Sequence, residues 1–183
     1  MTETEVKLAV RDLRAIKRRL AELGWKPAGR RQAERNVVYD RPDGSLFSSG
    51  RLLRIRQTGE RCWLTVKGPS RPGRKHKVRE EHEIETRDLA SLTKITETLG
   101  FIATWRYEKF RTEYRREKAR GKILLDETPI GTFLELEGAS RWIDETAAAL
   151  GFQTKDYILA SYRDLFHELR RTGAVTSRDM VFE

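Results

Sequence analysis

The fold is decided by the stretch Glu3-Thr4-Glu5-Val6-Lys7, where charged residues alternate with apolar or small ones. The alternation continues through residues 2–10 and has the two-residue period of a β-strand. On such a strand Glu3, Glu5 and Lys7 point to the same face, about 7 Å apart. A strand with one wholly charged face needs solvent, or partners of suitable charge, on that face. What this face meets is therefore the first question that the sequence poses.

The same pattern recurs on the other predicted strands, which number roughly eight. On most of them charged residues are two apart, and apolar residues occupy many of the positions between. The charged faces carry almost no Ser, Thr, Gln or Asn, which usually dilute a solvated face. Their members are Arg54 and Arg56; Thr65 and Lys67; Arg79, Glu81, Glu83 and Glu85; Lys109, Arg111 and Glu113; and Glu135 and Glu137.

Amphipathic helices are predicted over Asp12–Leu23, Asp88–Leu99, Ser140–Leu150 and Leu159–Arg170, too few for repeated βαβ units. Their apolar sides need a surface to cover. If the helices cover the apolar faces of an antiparallel sheet, curled or closed, the charged faces turn inward. The alternative is an ordinary sheet with its charged face in solvent. An interior lined by both charges is costly unless water, metal and ligand compensate, so it would be a functional site.

The composition fits one soluble domain with an anionic partner. The chain has 183 residues and a net charge of +9, with 36% charged and 38% hydrophobic residues. We expect a single domain over residues 1–173 and a flexible tail over 174–183. The positive charge favours nucleic acid, anionic lipid or a phosphorylated small molecule as partner. Acidic and basic residues are interleaved, however, which argues against a simple polyanion-binding surface.

Several classes are excluded by missing signals. Cys62 is the single cysteine, so neither an intrachain disulfide nor a cysteine metal cage is possible. No apolar run is long enough to span a membrane, and the N-terminus lacks the features of a signal or transit peptide. Walker A, kinase and dinucleotide-binding patterns are absent. A cytoplasmic location, with no membrane partner, is the default expectation.

Two Glu-x-Glu pairs, Glu3/Glu5 and Glu135/Glu137, suggest a metal site. Facing each other, they would offer four carboxylates, which are hard oxygen donors suited to Mg²⁺ or Mn²⁺. Asp126 is a candidate fifth member of this set.

A basic set accompanies these carboxylates and suits a ligand with three or four negative charges. Arginine holds phosphate oxygens with two parallel hydrogen bonds, and lysine acts as a point charge. Alternatively, the basic groups pair with the carboxylates as a solvated network, and an empty site would hold such pairs. The set comprises Lys7, Arg54, Arg56, Lys67, Arg79, Lys109 and Arg111.

These residues resemble the CYTH, or triphosphate tunnel metalloenzyme, superfamily, whose signature ExExK matches Glu3 to Lys7. The resemblance extends in order over about residues 2–165. Class IV adenylyl cyclases and thiamine triphosphatases are members of that superfamily. Its further blocks are Asn36-Val37-Val38-Tyr39-Asp40, Leu53-Arg54-Ile55-Arg56, Leu64-Thr65-Val66-Lys67-Gly68-Pro69, Arg79-x-Glu81-x-Glu83, Lys109-Phe110-Arg111, Asp126, Gly131 to Glu137, and Ser161-Tyr162.

The resemblance implies an α+β fold, an eight-stranded antiparallel β-barrel or tunnel with a charged lumen and helices packed outside. It implies that the acidic residues hold Mg²⁺ or Mn²⁺ and that the basic residues hold a small-molecule triphosphate. We expect hydrolysis of inorganic tripolyphosphate or a small organic triphosphate. For catalysis we expect Lys7 to take part, and either a second divalent ion or a carboxylate among Glu81, Glu83 and Glu85 to position the attacking water.

Two alternatives remain. The first is a class IV adenylyl cyclase that makes cyclic AMP and pyrophosphate from ATP. Bacterial members of that class carry a longer segment before ExExK, with a His-Phe pair, whereas only Met1 and Thr2 precede Glu3 here. The second is a non-catalytic barrel that binds polyphosphate or RNA, although carboxylates in a phosphate groove repel such ligands unless metal intervenes. Nucleic acid is therefore a disfavoured partner, and a homodimer is left open.

Overall fold

The computed structural model describes residues 2–71 and 75–183. Within these residues the chain forms nine strands, five α-helices and a 3₁₀ turn at Thr154–Asp156. The strands are β1 Thr2–Val10, β2 Lys26–Pro27, β3 Gln32–Asp40, β4 Leu52–Thr58, β5 Arg61–Lys67, β6 Lys77–Thr86, β7 Ile102–Arg115, β8 Lys122–Thr128 and β9 Gly131–Glu137. The helices are α1 Leu13–Glu22, α2 Ser45–Ser48, α3 Leu89–Thr98, α4 Ser140–Ala149 and α5 Tyr162–Arg171.

Eight of the strands described in residues 2–71 and 75–183 close into an antiparallel barrel. Their order is β7-β3-β4-β5-β6-β1-β9-β8, and pairing of β8 with β7 closes the ring. The two-residue β2 lies beside the far end of β7, where Lys26 pairs with Arg115. The expected α+β fold, with an eight-stranded antiparallel barrel and helices outside, is confirmed.

Helices α1 and α4 cover the outside of the barrel. Asp12 begins α1 by accepting hydrogen bonds from the backbone N–H groups of Arg14 and Ala15, at 2.8 and 2.9 Å. The apolar side of α1 then packs with that of α4 onto β1, β8 and β9. The buried cluster includes Val6, Leu8, Ile16, Leu20, Leu134, Leu136 and Ile143. The helices thus cover the apolar faces of these strands on the outside of the barrel, and the charged faces of the strands point to its interior.

Helix α5 begins later than the sequence pattern predicted. Ser161 accepts a hydrogen bond from the backbone N–H of Asp164 at 3.2 Å, and Asp164 in turn accepts one from the backbone N–H of Ser161 at 2.9 Å. This reciprocal capping box fixes the helix start at Tyr162. The preceding Ile158 instead pairs with Lys7 of β1 through two backbone hydrogen bonds of 2.8 and 3.1 Å.

Within residues 174–183, where we expected a flexible tail, Met180 contacts β7. Met180 is 0% exposed and its backbone bonds with Arg106 and Glu108 at 3.0 and 2.8 Å. The edge of β7 is available there because β8 pairs only with residues 110–114 of β7. This contact has no signature in the sequence, because it depends on a single methionine that packs against the unpaired edge of β7.

None of the helices in the described part of the chain has the length and apolar character needed to cross a membrane.

Candidate active site

The inward faces of the barrel strands line a cavity of about 1890 Å³. It collects most of the side chains that the sequence marked as functional. Glu85 and Asp126 are the two predicted site residues that do not line it. Those that do are Glu3, Glu5, Lys7, Arg54, Arg56, Lys67, Arg79, Glu81, Glu83, Lys109, Arg111, Glu135 and Glu137.

Three carboxylates of the predicted metal set lie together. Glu3, Glu5 and Glu137 each offer an oxygen atom, and these atoms are all within 4.8 Å of one another. The antiparallel register of β1 and β9 causes this, since it places Glu5 directly opposite Glu137. Each carboxylate also has a lysine partner. The distances are 2.6 Å from Lys67 to Glu3, 3.2 Å from Lys77 to Glu5 and 2.8 Å from Lys122 to Glu137.

The electrostatics of this group suit a cation. Burial raises the pKa of Glu3 to about 7, and the neighbouring Glu5 and Glu81 add to the rise, while Lys67 opposes it. Buried carboxylates that crowd each other are stabilised by a positive ion between them. Three carboxylate donors are the hard ligands that Mg²⁺ and Mn²⁺ prefer, so the donor set fits the expected metal.

The other two predicted metal ligands lie among basic groups. Glu135 is bonded to Lys7 at 2.9 Å and, more closely, to Arg111. Burial would raise the pKa of Glu135, but Lys7, Lys109 and Arg111 hold it well below its ordinary value. The structure therefore places Glu135 beside the phosphate-binding candidates, two residues from Glu137 on the same strand face.

Asp126 lies deeper, with 0% of its side chain exposed. It accepts hydrogen bonds from Lys109 at 2.8 Å, from Arg111 at 2.6 Å and from the Tyr162 hydroxyl at 2.8 Å. Its register partner on β7 is Arg111, which explains the contact. In this structure Asp126 orients cationic side chains and is separate from the three-carboxylate group.

The basic side chains converge on the same cavity and retain unused donors. Arg54 donates to the Tyr107 hydroxyl at 3.0 Å and to Thr65 at 3.2 Å. Arg56 donates to Glu83 at 3.0 Å. The Nε atoms of both arginines are buried without a hydrogen-bond partner. Buried hydrogen-bond donors without acceptors are energetically costly, so the part of the cavity lined by these two arginines is suited to an oxygen-rich anion.

The remaining predicted cation, Arg79, points its Nε to the carbonyl oxygen of Gly68 at 3.1 Å and also lines the cavity.

The three carboxylates predicted to position water occupy different surroundings. Glu81 lies 3.2 Å from Lys67 and so is next to the three-carboxylate group. Glu83 accepts hydrogen bonds from Thr65 at 2.6 Å and from Arg56. Glu85 is half exposed at the rim, where the Trp63 indole donates to it at 3.1 Å. Glu81 is thus the member closest to the candidate metal group.

Sequence reasoning missed two interior residues of β3. Glu34 is 5% exposed and lies 3.5 Å from Lys109 and 3.6 Å from Arg56. Asn36 is buried on the same face, and both atoms of its amide lack hydrogen-bond partners. The two-residue rule applied to the other strands would have found both, since Glu34 and Asn36 are two apart.

Two further residues were missed. Lys77 is the first residue of β6 and lies two residues before Arg79, so the two-residue rule would have found it as well; it pairs with Glu5. Tyr162 comes from α5, and its ring lies 4.4 Å below the Lys7 ammonium group. Helix α5 thus contributes one wall of the cavity, a placement that only the tertiary fold determines.

The fold and this site define a class of protein: an antiparallel β-barrel whose charged interior brings buried carboxylates and buried cations together. The chain belongs to the CYTH family, because the model of the CYTH domain matches residues 1–162. No curated protein matches the sequence significantly.

Solved structures share the fold. PH1819 from Pyrococcus horikoshii OT3 is 26% identical, with 91% of this chain and 98% of that chain covered and a TM-score of 0.74. An adenylate cyclase candidate from Vibrio parahaemolyticus is 20% identical, with 91% and 98% covered and a TM-score of 0.76. HpAC1 from Hippeastrum, an adenylyl cyclase candidate described as having a dominant triphosphatase activity, is 19% identical, with 93% and 96% covered and a TM-score of 0.66.

Proposed function

We propose that this protein hydrolyses a triphosphate, inorganic tripolyphosphate or a small organic triphosphate, with the help of Mg²⁺ or Mn²⁺. The observation that carries the proposal is that the three-carboxylate group and the buried cations line the same cavity. Lys67 links the two, since it contacts Glu3 at 2.6 Å and Glu81 at 3.2 Å. Family membership supports the same class of chemistry.

The cations bind the phosphates by exchanging partners. Lys7, Lys109 and Arg111 now pair with Glu135 and Asp126 inside the barrel. A ligand with several negative charges offers these cations stronger acceptors, and it also reaches the unused Nε donors of the two interior arginines. Because Lys7, Lys109 and Arg111 are buried inside the barrel, their interactions with a ligand are stronger than they would be at the surface.

The candidate metal ligands are Glu3, Glu5 and Glu137, and they would hold one divalent ion close to the phosphate chain. Such an ion, when bound, neutralises charge that develops on the phosphoryl oxygens. Glu135 remains a candidate ligand through its position beside Glu137. Asp126 acts from behind, by orienting Lys109 and Arg111.

Glu81 positions the attacking water. The water oxygen forms a bond with the terminal phosphorus, the bridging P–O bond breaks, and the water proton passes to the Glu81 carboxylate. Burial raises the pKa of Glu81, but the adjacent Lys67 lowers it, with a net decrease, so the carboxylate is ionised and ready to accept a proton. The departing diphosphate keeps the negative charge, which the lysines and arginines of the wall stabilise.

The cyclase alternative uses the same clamp with the ribose 3′-hydroxyl as the attacking group and pyrophosphate as the leaving group. The cyclase alternative is supported by the fold that this chain shares with adenylyl cyclase candidates. The products separate the two reactions, because only the cyclase forms cyclic AMP.

The experiment incubates tripolyphosphate, thiamine triphosphate and ATP separately with Mg²⁺ or Mn²⁺ and measures phosphate, pyrophosphate and cyclic AMP. We expect phosphate release that a chelator stops. Glu5→Gln should lower the rate about 100-fold or more, because metal assistance provides several kcal/mol. The exposed Glu145→Gln is the matched control and should act as wild type. No turnover of any compound, or near-wild-type activity of folded Glu5→Gln, contradicts the proposal.

A further inference from the structure

One wall of the cavity is largely apolar and aromatic, with an arginine at its outer end. It lies where α2 and the start of α5 meet the barrel. Its members are Val38, Phe47, Leu52, Trp105, Leu159 and Arg163. Phosphate groups gain nothing from such a surface, so it has no evident part in binding the triphosphate itself.

The apolar wall begins where the phosphate-binding wall ends. Trp105, Val38 and Arg54 form a row across β7, β3 and β4, because Val38 pairs with Trp105 on one side and with Arg54 on the other. The Trp105 ring stacks on Tyr107 at 4.8 Å and 22°, and the Tyr107 hydroxyl bonds with Arg54. A ligand whose phosphates reach Arg54 therefore has its next group beside Trp105.

Trp105 carries an unused hydrogen-bond donor. The residue is 4% exposed, and its indole Nε1 is buried without a partner. A buried tryptophan ordinarily finds an acceptor for this N–H group, and an unpaired one is costly. A ligand with a ring nitrogen or a hydroxyl oxygen at this point would provide the missing acceptor.

Phe47 and Arg163 form a planar surface at the outer end of the same wall. Phe47 is 50% exposed, and the Arg163 guanidinium lies 4.2 Å over its ring. Asp40 fixes the position of Phe47 by accepting a hydrogen bond from its backbone N–H at 3.0 Å. Aromatic rings and guanidinium planes are the groups on which nucleic-acid bases stack.

We propose that this wall, which we name the head-group wall, binds the neutral planar ring of a nucleoside triphosphate. The inference rests on the proposed function, because it assumes that the triphosphate occupies the adjacent cations. A base stacks on Phe47 and Arg163, while a ring or sugar acceptor meets the Trp105 indole. A cationic ring, such as a thiazolium, is disfavoured because the positively charged Arg163 guanidinium already lies over the Phe47 ring and repels it.

The test measures equilibrium binding by calorimetry in Mg²⁺, with three ligands: the β,γ-methylene analogue of ATP, thiamine triphosphate and tripolyphosphate. Every protein in the test also carries Glu81→Gln, which stops the proposed hydrolysis, and the protein without further changes is called wild type. Wild type should bind the nucleotide analogue more tightly than thiamine triphosphate. Phe47→Ala should weaken nucleotide binding about tenfold, the usual scale for losing one base–aromatic stack, and tripolyphosphate binding less than twofold. Arg163→Gln should reduce the difference in affinity between the nucleotide analogue and thiamine triphosphate.

Phe182→Ala is the matched control. This phenylalanine is 37% exposed, packs on Phe110 and lies outside the cavity lining, so its removal should leave all three affinities unchanged. The inference is overturned if Phe47→Ala leaves nucleotide binding unchanged, or if it weakens nucleotide and tripolyphosphate equally. If wild type binds tripolyphosphate but not the nucleotide analogue, the inference fails while the proposed function stands. If wild type binds none of the ligands, both fail.

Discussion

Glu34 is the buried carboxylate whose replacement tests the electrostatic organisation of the interior most directly. It lies between two cations, 3.5 Å from Lys109 and 3.6 Å from Arg56. Glutamine has the same shape but no charge. We expect Glu34→Gln to destabilise the protein and, at the same time, to strengthen its stabilisation by tripolyphosphate, because the two cations lose an internal competitor for the ligand.

The magnitude follows from the pKa of Glu34. Burial would raise this pKa, but Lys109, Arg111 and Arg56 lower it to about 2 from the ordinary 4.5. The difference corresponds to at most about 3 kcal/mol of unfolding free energy at neutral pH. For a chain of this size each kcal/mol moves the thermal midpoint by about 2–4 °C. Glu34→Gln should therefore unfold up to about 12 °C below wild type.

The pH dependence gives an internal check. A carboxylate with a lowered pKa in the folded state stabilises the protein fully above its unfolded pKa of 4.5, and the contribution is lost as the pH falls towards about 2. The difference in stability between wild type and Glu34→Gln should thus be largest at pH 7 and shrink below pH 4.5.

Urea unfolding at pH 7, and at several values between pH 5 and 2.5, measures this difference, with thermal unfolding in tripolyphosphate as the binding assay. Exposed Glu168→Gln is the control and should match wild type throughout. Equal stability of wild type and Glu34→Gln at pH 7, or a gap that does not change with pH, would refute the reasoning.

Two more substitutions test packing. Met180→Ala should lower the free energy of unfolding in urea by about 2–5 kcal/mol, because Met180 is fully buried. Val181→Ala, at a half-exposed neighbour, is the control. Equal free energies of unfolding for the two variants would show that the C-terminal segment does not pack against β7. Gly121→Ala places a Cβ 2.5 Å from the Trp142 ring and 2.7 Å from the Glu137 carbonyl oxygen. It should lower both the thermal midpoint and Mn²⁺ affinity, whereas Gly29→Ala, with open space around it, should change neither; unchanged Mn²⁺ affinity in Gly121→Ala would contradict this.

The charged interior was predictable because the two-residue period of a strand is visible in the sequence. Because the helices pack on the apolar faces of the strands, the charged faces of the strands point into the barrel. Which of the candidate metal-binding carboxylates lie together was predictable only in part. Which carboxylates meet depends on the register between strands far apart in sequence, such as the pairing of Glu5 with Glu137. The same kind of register places Asp126 opposite Arg111, away from the metal candidates.

Contributions from outside the strands were harder to predict. Tyr162 enters the site from α5, and Phe47 enters from α2, a four-residue helix held by the buried carboxylate of Asp40. Neither position follows a period in the sequence. Their placement is fixed by capping and by helix docking, which are properties of the folded chain.

The closure of the barrel by distant segments has a consequence for synthesis. Lys7 exchanges two backbone hydrogen bonds with Ile158, and Met180 bonds with the edge of β7. A ribosome delivers β1 long before these partners, so the lumen remains incomplete until nearly the whole chain has emerged. Pairings between remote segments form slowly, because the loop between them must first be closed. The cavity is therefore among the last parts of the molecule to form, and any ligand that binds only the finished barrel favours this final step.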